Sequence, residues 1–260
     1  MLNKKKPDWF PKDKAILNYN GHPIYTVHVP GDNEKELKEL TAYFIEKELT
    51  VDSNIAIVTT ATPELWENCP VKMQCEANNI PLYNGALNFV GEWTNPFKPF
   101  FIVEALKHVN TDYVLIVDGR DVVLTHDLDE ELIEKFKALD VDMVFNGTPR
   151  SFPRFGEPID VVVKRKGNHP FLNAGVVFGY RYAVRRLYED IVMRLESPHF
   201  RNTGSEQKVL TDVLVGLVAS EKLKYAVDSD SELFAVLHHD DNIIINESGE
   251  SLEKKLVYRW

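Results

Sequence analysis

The apolar positions change period several times along the chain, and each change marks a new element. PIYTVHVP (23–30) is a run rich in β-branched residues and predicts a first strand. In residues 32–49 the apolar positions Leu37, Leu40, Phe44, Ile45 and Leu49 fall at helical spacing, with Asp32 or Asn33 as the N-cap. NIAIVTT (54–60) predicts a second, buried strand. Residues 63–79 predict helix in pieces, interrupted at Pro70. A short strand is expected near Pro81–Asn84, then a loop carrying Gly and Trp, then a helix from about Pro99 to His108. YVLIVDGRDVVL (113–124) follows. Beyond it, residues 128–140 are amphipathic, 142–147 predict a strand, and 148–170, with several prolines, an irregular excursion. FLNAGVVFGY (171–180) returns to strand character. Two helices are expected, YAVRRLYEDIVMRLES and SEQKVLTDVLVGLVAS, then a last clear strand at 223–228 and one or two edge strands in the tail. Strands alternating with helices imply βαβ units and a mainly parallel sheet. No repeat or linker divides the chain, so the simplest organisation is an N-terminal arm (1–21) and one α/β domain (22–260).

The stretch YVLIVDGRDVVL carries the chemistry. Asp-Gly between apolar runs is a signal for a two-residue hairpin turn. Against a hairpin, YVLIV does not alternate, and it follows a helix as a central parallel strand would. In an open α/β sheet, ligands gather at the carboxyl ends of the strands. Asp118 ends such a strand, and the turn after it can bring Asp121 to the same side. Two carboxylates so placed repel unless a cation lies between them, and hard oxygen donors suit Mg²⁺ or Mn²⁺.

Composition narrows the picture. The chain has 260 residues, enough for a substantial core, with 44% hydrophobic and 27% charged residues. A formal net charge of -10 disfavours nucleic acid as partner. No run approaches the length of a membrane span. Cys69 and Cys75 do not have zinc-site or redox spacing. The N-terminal residues MLNKKKPDWFPKDK lack an apolar segment behind their basic ones, so no secretory signal is expected and the sequence points to the cytoplasm. Oligomeric state is not legible.

The order VDGRD, FLNAGVVFGY, SEQKVLTDVL, YAVDSDSELFAVL resembles the GT-A glycosyltransferases, and most closely the glycosyltransferase domain of procollagen lysyl hydroxylases and the related collagen hydroxylysine glycosyltransferases. The resemblance spans about residues 22–237. It implies a GT-A (Rossmann-like) fold, a mixed, mainly parallel sheet flanked by helices. It implies a UDP-sugar donor, Mn²⁺ (or Mg²⁺), and transfer of galactose or glucose to an acceptor hydroxyl on a protein or glycan. A hydroxylysine or galactosyl-hydroxylysine of a collagen-like protein is the acceptor it suggests.

Residue by residue, the resemblance makes Asp118 and Asp121 the D-x-x-D metal ligands. Thr26 falls where the family contacts the nucleotide, Trp93 where an aromatic packs on uridine, and Lys98 where a basic residue lies near the phosphates. Asn173 and Gly175 match an L-N-S-G segment in which Ala174 replaces the serine. Glu206 and Gln207 match an acid-acid-glutamine run facing the sugar, with Ser205 in place of the first acid. Phe152 matches an aromatic near the donor sugar. Arg120 stands where the family has a larger aromatic, and its guanidinium can pair with phosphate. Glu206 would be the general base of an inverting reaction, or a nucleophile or charge stabiliser in a retaining one; as a helix-starting acid it equally suits the helix dipole.

The family's third metal ligand is a late His in a His-Gly-Asn-Gly-like segment. No such segment occurs before Trp260, and His238 and His239 do not match it. Either it lies beyond this sequence, or the metal is held by two aspartates, diphosphate and water. A catalytically degenerate GT-A protein that binds nucleotide or acts as a scaffold is the alternative function. A nucleotidyltransferase would need a Gly-rich loop after the first strand, where VPGDNEKE has one glycine, and a dinucleotide dehydrogenase would need G-x-G-x-x-G there.

Overall fold

The structure is a computed structural model, described for residues 18–19, 22–30, 34–45, 48–149, 169–197, 205–236, 241–245 and 252–256. The main sheet has six strands: β4 (Ile55–Thr60), β5 (Leu82–Asn84), β6 (Tyr113–Asp118), β8 (Met143–Thr148), β9 (Phe171–Tyr180) and β10 (Tyr225–Asp228), in the order β10-β8-β9-β6-β4-β5. All neighbours pair parallel except those of β9, which is antiparallel to both β6 and β8. Five strands therefore point the same way, and their carboxyl ends meet the amino end of β9 along one edge. The alternation predicts a mainly parallel sheet, and the mixed, helix-flanked form is the one the resemblance implies.

The unbroken apolar run of β6 has a physical reason. Val114 and Ile116 enter a core against α4 (Lys98–Leu106), α6 (Arg181–Glu196) and α7 (Glu206–Ala219). Tyr113, Leu115 and Val117 enter a second core on the other face, against α3 (Pro70–Ala77) and α5 (Glu130–Ala138). A strand covered on both faces needs apolar residues at every position. Phe178 stacks on Tyr113 with centroids 6.0 Å apart and meets Phe136 edge-on at 5.2 Å, tying β9 to α5.

The first predicted strand forms in part. Residues 23–30 do not join the main sheet; they contribute β2 (His22–Pro23) and β3 (Thr26–His28). β3 lies in a three-stranded sheet, β11-β3-β7, between β11 (Phe234–Val236) and β7 (Val122–Leu124). Single-strand periodicity cannot say which sheet a strand joins, because pairing is decided between segments far apart in sequence. The tail strands β12 (Asp241–Ile245) and β13 (Leu252–Leu256) pair with each other, and β13 with β1 (Asn18–Tyr19), so the predicted arm also contributes to a sheet. The remaining helices are α1 (Glu34–Phe44), with no described N-cap since residues 31–33 lie outside the described set, and the short α2 (Pro63–Trp66). Proline opens both α2 and α3, where its missing N–H costs nothing.

The hairpin alternative is also settled. β7 pairs antiparallel with β3, not with β6. Gly119 lets the chain leave β6 across the end of β4: a Cβ there would sit 2.8 Å from Thr60 O and from Ala61 Cβ.

Candidate functional site

Asp118 is the last residue of β6, paired with Thr60 of β4 at the carboxyl edge. Asp121 precedes β7, whose first residue Val122 pairs with His28 of β3. The backbone N–H of Val29 donates to Asp121 O at 2.8 Å, extending that ladder by one bond. The β3–β7 register therefore sets His28 beside Asp121. His28 Nε2 lies 3.3 Å from Asp121 Oδ1 and 3.8 Å from Asp118 Oδ2. One ligand atom from each of the three residues lies within 4.8 Å of the others.

Lys98, first residue of α4 and buried, completes the cluster. Its ammonium sits 2.5 Å from Asp118 Oδ1 and donates to Ala174 O at 3.0 Å. Burial works against the ammonium, but the charges of Asp118 first, then Glu206, outweigh it and hold Lys98 well above its ordinary value. Burial likewise opposes a charged His28, yet the Asp121 carboxylate and then Asp118 raise its pKa above the usual imidazole range. Asp121 is the reciprocal case. Burial would raise it, but His28, then Lys98 and Arg120, hold it below the ordinary aspartate value.

Two residues of β9 close against this cluster. The β8–β9 register shifts between Phe145 and Asn146, so that Asn146 pairs with Asn173, and Gly175 lies against His28 of β3. Asn173 Oδ1 accepts the Gly175 N–H at 2.7 Å. A Cβ on Gly175 would lie 2.6 Å from His28 Nδ1 and 2.8 Å from Asn173 Oδ1, so only glycine leaves room for the imidazole.

The other predicted residues are placed as follows. Thr26 is buried on β3, two residues before His28, and its hydroxyl has no partner. Arg120 is exposed between the two aspartates. Trp93 is stacked on Phe101 with centroids 5.8 Å apart and meets Phe89 edge-on, in an aromatic group that flanks Lys98 in sequence. Ser205 caps α7, its hydroxyl accepting the Lys208 N–H at 3.4 Å, and Glu206 is the first helical residue. Gln207 clasps β9: its Oε1 accepts Ala174 N–H at 3.3 Å and its Nε2 donates to Leu172 O at 3.1 Å. Phe152, His238 and His239 lie outside the described residues. The structure thus brings Asp118, Asp121, Lys98, Asn173 and Gly175 together, with Glu206 in electrostatic reach of Lys98.

His28 is the residue that sequence reasoning missed. In PIYTVHVP it is a polar position in an apolar strand, and that interruption was the available signal. A cavity of about 370 Å³ lies elsewhere, lined by Lys135, Leu139, Val144, Asp228, Glu232 and Leu233 among others; no member of the cluster lines it.

The donor set fits a divalent cation. Two carboxylates are hard oxygen ligands suited to Mg²⁺ or Mn²⁺, and the single imidazole favours Mn²⁺ of the two. His28 Nε2, Asp118 Oδ2 and Asp121 Oδ1 are the atoms that converge, and a cation among them would offset the repulsion of the two carboxylates.

No curated protein matches the chain. Solved structures that resemble it include the 4-diphosphocytidyl-2C-methyl-D-erythritol synthase of Anaerococcus prevotii DSM 20548, at 14% identity and TM-score 0.35, covering 71% of this chain and 89% of that one. Another is residues 1–349 of S. aureus TarS in complex with UDP, at 16% identity and TM-score 0.39, covering 82% of this chain and 60% of that one. The sequence profile of the PLOD GT domain matches residues 100–258, a segment that contains Lys98's neighbours on α4, both aspartates, the β9 strand and Glu206. The chain therefore belongs to the PLOD GT domain family, the glycosyltransferase domains of lysyl hydroxylases.

Proposed function

We propose that this glycosyltransferase moves a hexosyl group, galactosyl or glucosyl, from a UDP-sugar to an acceptor hydroxyl, with Mn²⁺ or Mg²⁺ held by Asp118, Asp121 and His28. The observation that carries it is the convergence of those three side chains at the carboxyl edge of the sheet. When bound, the cation would supply electrostatic stabilisation of the leaving diphosphate. Lys98 and Arg120 add positive charge on the same side. The charges of Asp118 and then Glu206 raise Lys98 above its ordinary value against its burial, so its part is that of a positive charge beside the leaving diphosphate. The acceptor oxygen bonds to the anomeric carbon as the bond to the UDP oxygen breaks, and Glu206 takes the hydroxyl proton if the reaction inverts. Thr26 and Trp93 are assigned to the nucleotide, Asn173 and Gly175 to the donor, and Gln207 to holding α7 against β9. A hydroxylysine or galactosyl-hydroxylysine of a collagen-like protein is the acceptor the family membership favours.

UDP release from UDP-glucose and UDP-galactose, with and without Mn²⁺, tests this. Turnover that EDTA removes and Mn²⁺ restores is expected. Absence of both turnover and calorimetric UDP binding in the wild type would refute it. A second reading is favoured by one observation: Lys98 already neutralises Asp118 at 2.5 Å, and Ser205, where the family has an acid, spends its hydroxyl on capping α7. That describes a degenerate protein that binds UDP without turning over. Binding with no release in the same assay would identify it.

A further inference from the structure

Three polar residues stand side by side on adjacent strands at the carboxyl edge of the main sheet. Asp228 of β10 pairs with Asn146 of β8, and Asn146 with Asn173 of β9. Paired residues on neighbouring strands share a face, so a carboxylate and two amides form one row. Asn173 leads from that row to His28 through Gly175.

The two ends of the row are used by the protein. Asp228 accepts backbone N–H groups from Glu232 at 2.8 Å, Leu233 at 2.9 Å and Phe234 at 2.7 Å. Asn173 Oδ1 accepts from Gly175. The middle is different. Asn146 is 0% exposed, and neither its Oδ1 nor its Nδ2 has a partner. The hydroxyl of Thr26, on the same side of β3 as His28, is buried and unpartnered too. A primary amide can accept two hydrogen bonds and donate two. Leaving all of them unmade in a core is rare in folded proteins, and leucine would fill the same space without that cost.

The chemistry of the row selects a ligand. A phosphate calls for cations, and these serve the β6 and β9 end of the row, Lys98 between Asp118 and Ala174 O and Arg120 after Gly119, not its middle at Asn146. An amide that can both donate and accept matches a hydroxyl, which does the same. We propose that Asn146, with Asn173 beside it, binds hydroxyls of the donor's hexose and sets which hexose the enzyme accepts. The assignment rests on the UDP-sugar reading of the site.

Calorimetry on the full chain with Mn²⁺ and UDP, UDP-glucose or UDP-galactose, for wild type, Asn146→Leu and Asn146→Ser, decides it, with a thermal midpoint for each protein. Asn146→Leu should melt at or above the wild type and bind UDP within about twofold of it. It should lose about tenfold or more of the affinity for UDP-hexose relative to UDP, the worth of one or two hydrogen bonds, and distinguish the two hexoses less. Asn146→Ser should recover part of that loss. Unchanged hexose affinity in Asn146→Leu overturns the assignment while UDP binding still upholds the donor reading. A clear fall in the midpoint of both variants also overturns it, since the amide would then serve the fold. A wild type that binds neither UDP nor UDP-hexose removes the donor reading and this assignment with it.

Discussion

Asp121 is held below its ordinary pKa by His28 ahead of the other cations, and His28 is held above its own by Asp121. Each side chain is thus the other's main electrostatic partner, with His28 Nε2 3.3 Å from Asp121 Oδ1. His28→Ala should lower Mn²⁺ affinity in the presence of UDP by roughly 10–100-fold, as loss of a metal-site residue does. Calorimetric titration of Mn²⁺ reads this directly. An unchanged affinity would mean that the two aspartates and diphosphate suffice, one of the two alternatives the sequence left open. Gly175→Ala should act on the same site from behind, because its methyl would press on His28 Nδ1 and Asn173 Oδ1. The expected cost is about 1–3 kcal/mol of stability from overpacking, with loss of turnover beyond what that cost explains. Urea unfolding beside the UDP-release assay separates the two effects. At this scale, the two aspartates were legible as carboxylates at a strand's end. His28 was not, since its position beside them depends on a pairing that no local pattern encodes.

Among the elements, β7 is held in an unusual way. It pairs with β3 on one side, and on the other a buried side chain, Gln74 of α3, stands in for a strand. Gln74 Nε2 donates to Leu124 O at 2.7 Å, and its Oε1 accepts the Leu124 N–H at 2.9 Å. Gln74→Ala would leave a buried donor and a buried acceptor unpaired, each worth about 1–3 kcal/mol. A loss of roughly 2–4 kcal/mol in denaturant unfolding is expected, with weaker Mn²⁺ binding because β7 follows Asp121 directly. One helix start, Glu206 of α7, was read from the sequence; Pro70, read as an interruption, instead opens α3, and the cap of α5 by Asp129, which accepts N–H groups of Glu131 and Leu132, was not singled out. The clasp by Gln74 was not legible, because a glutamine at helical spacing looks the same whether it faces water or a strand edge 50 residues on.

For the whole molecule, stability should carry a pH signature from Asp228. Burial pushes its carboxyl up to about 6 from 3.8, against three backbone N–H groups that favour the charged form. A pKa raised in the folded state means that the native protein keeps a proton the unfolded chain has released. The stabilisation is complete below about pH 4 and is lost as pH rises through about 6, a change of roughly 3 kcal/mol. Other carboxylates titrate in this range, so the measurement is the difference between wild type and Asp228→Asn. That difference should shift against the wild type between pH 4 and pH 6 and be level above pH 7. A flat difference would show that the three N–H groups outweigh burial. Among the described residues, no helix is long and apolar enough to cross a membrane.

What the sequence determined by itself was the local grammar: which runs are strands covered on both faces, where helices start, and that two carboxylates end a central strand. These follow from side-chain periodicity and backbone capping, which act over a few residues. The tertiary structure alone decided that residues 26–28 leave the main sheet, that β7 pairs with β3, and that His28, Lys98 and Gly175 meet the aspartates. Those outcomes depend on pairings between distant segments, β3 with β7 94 to 98 residues on and with β11 208 residues on, and register is set by how two cores pack on one sheet, a property of the assembled whole.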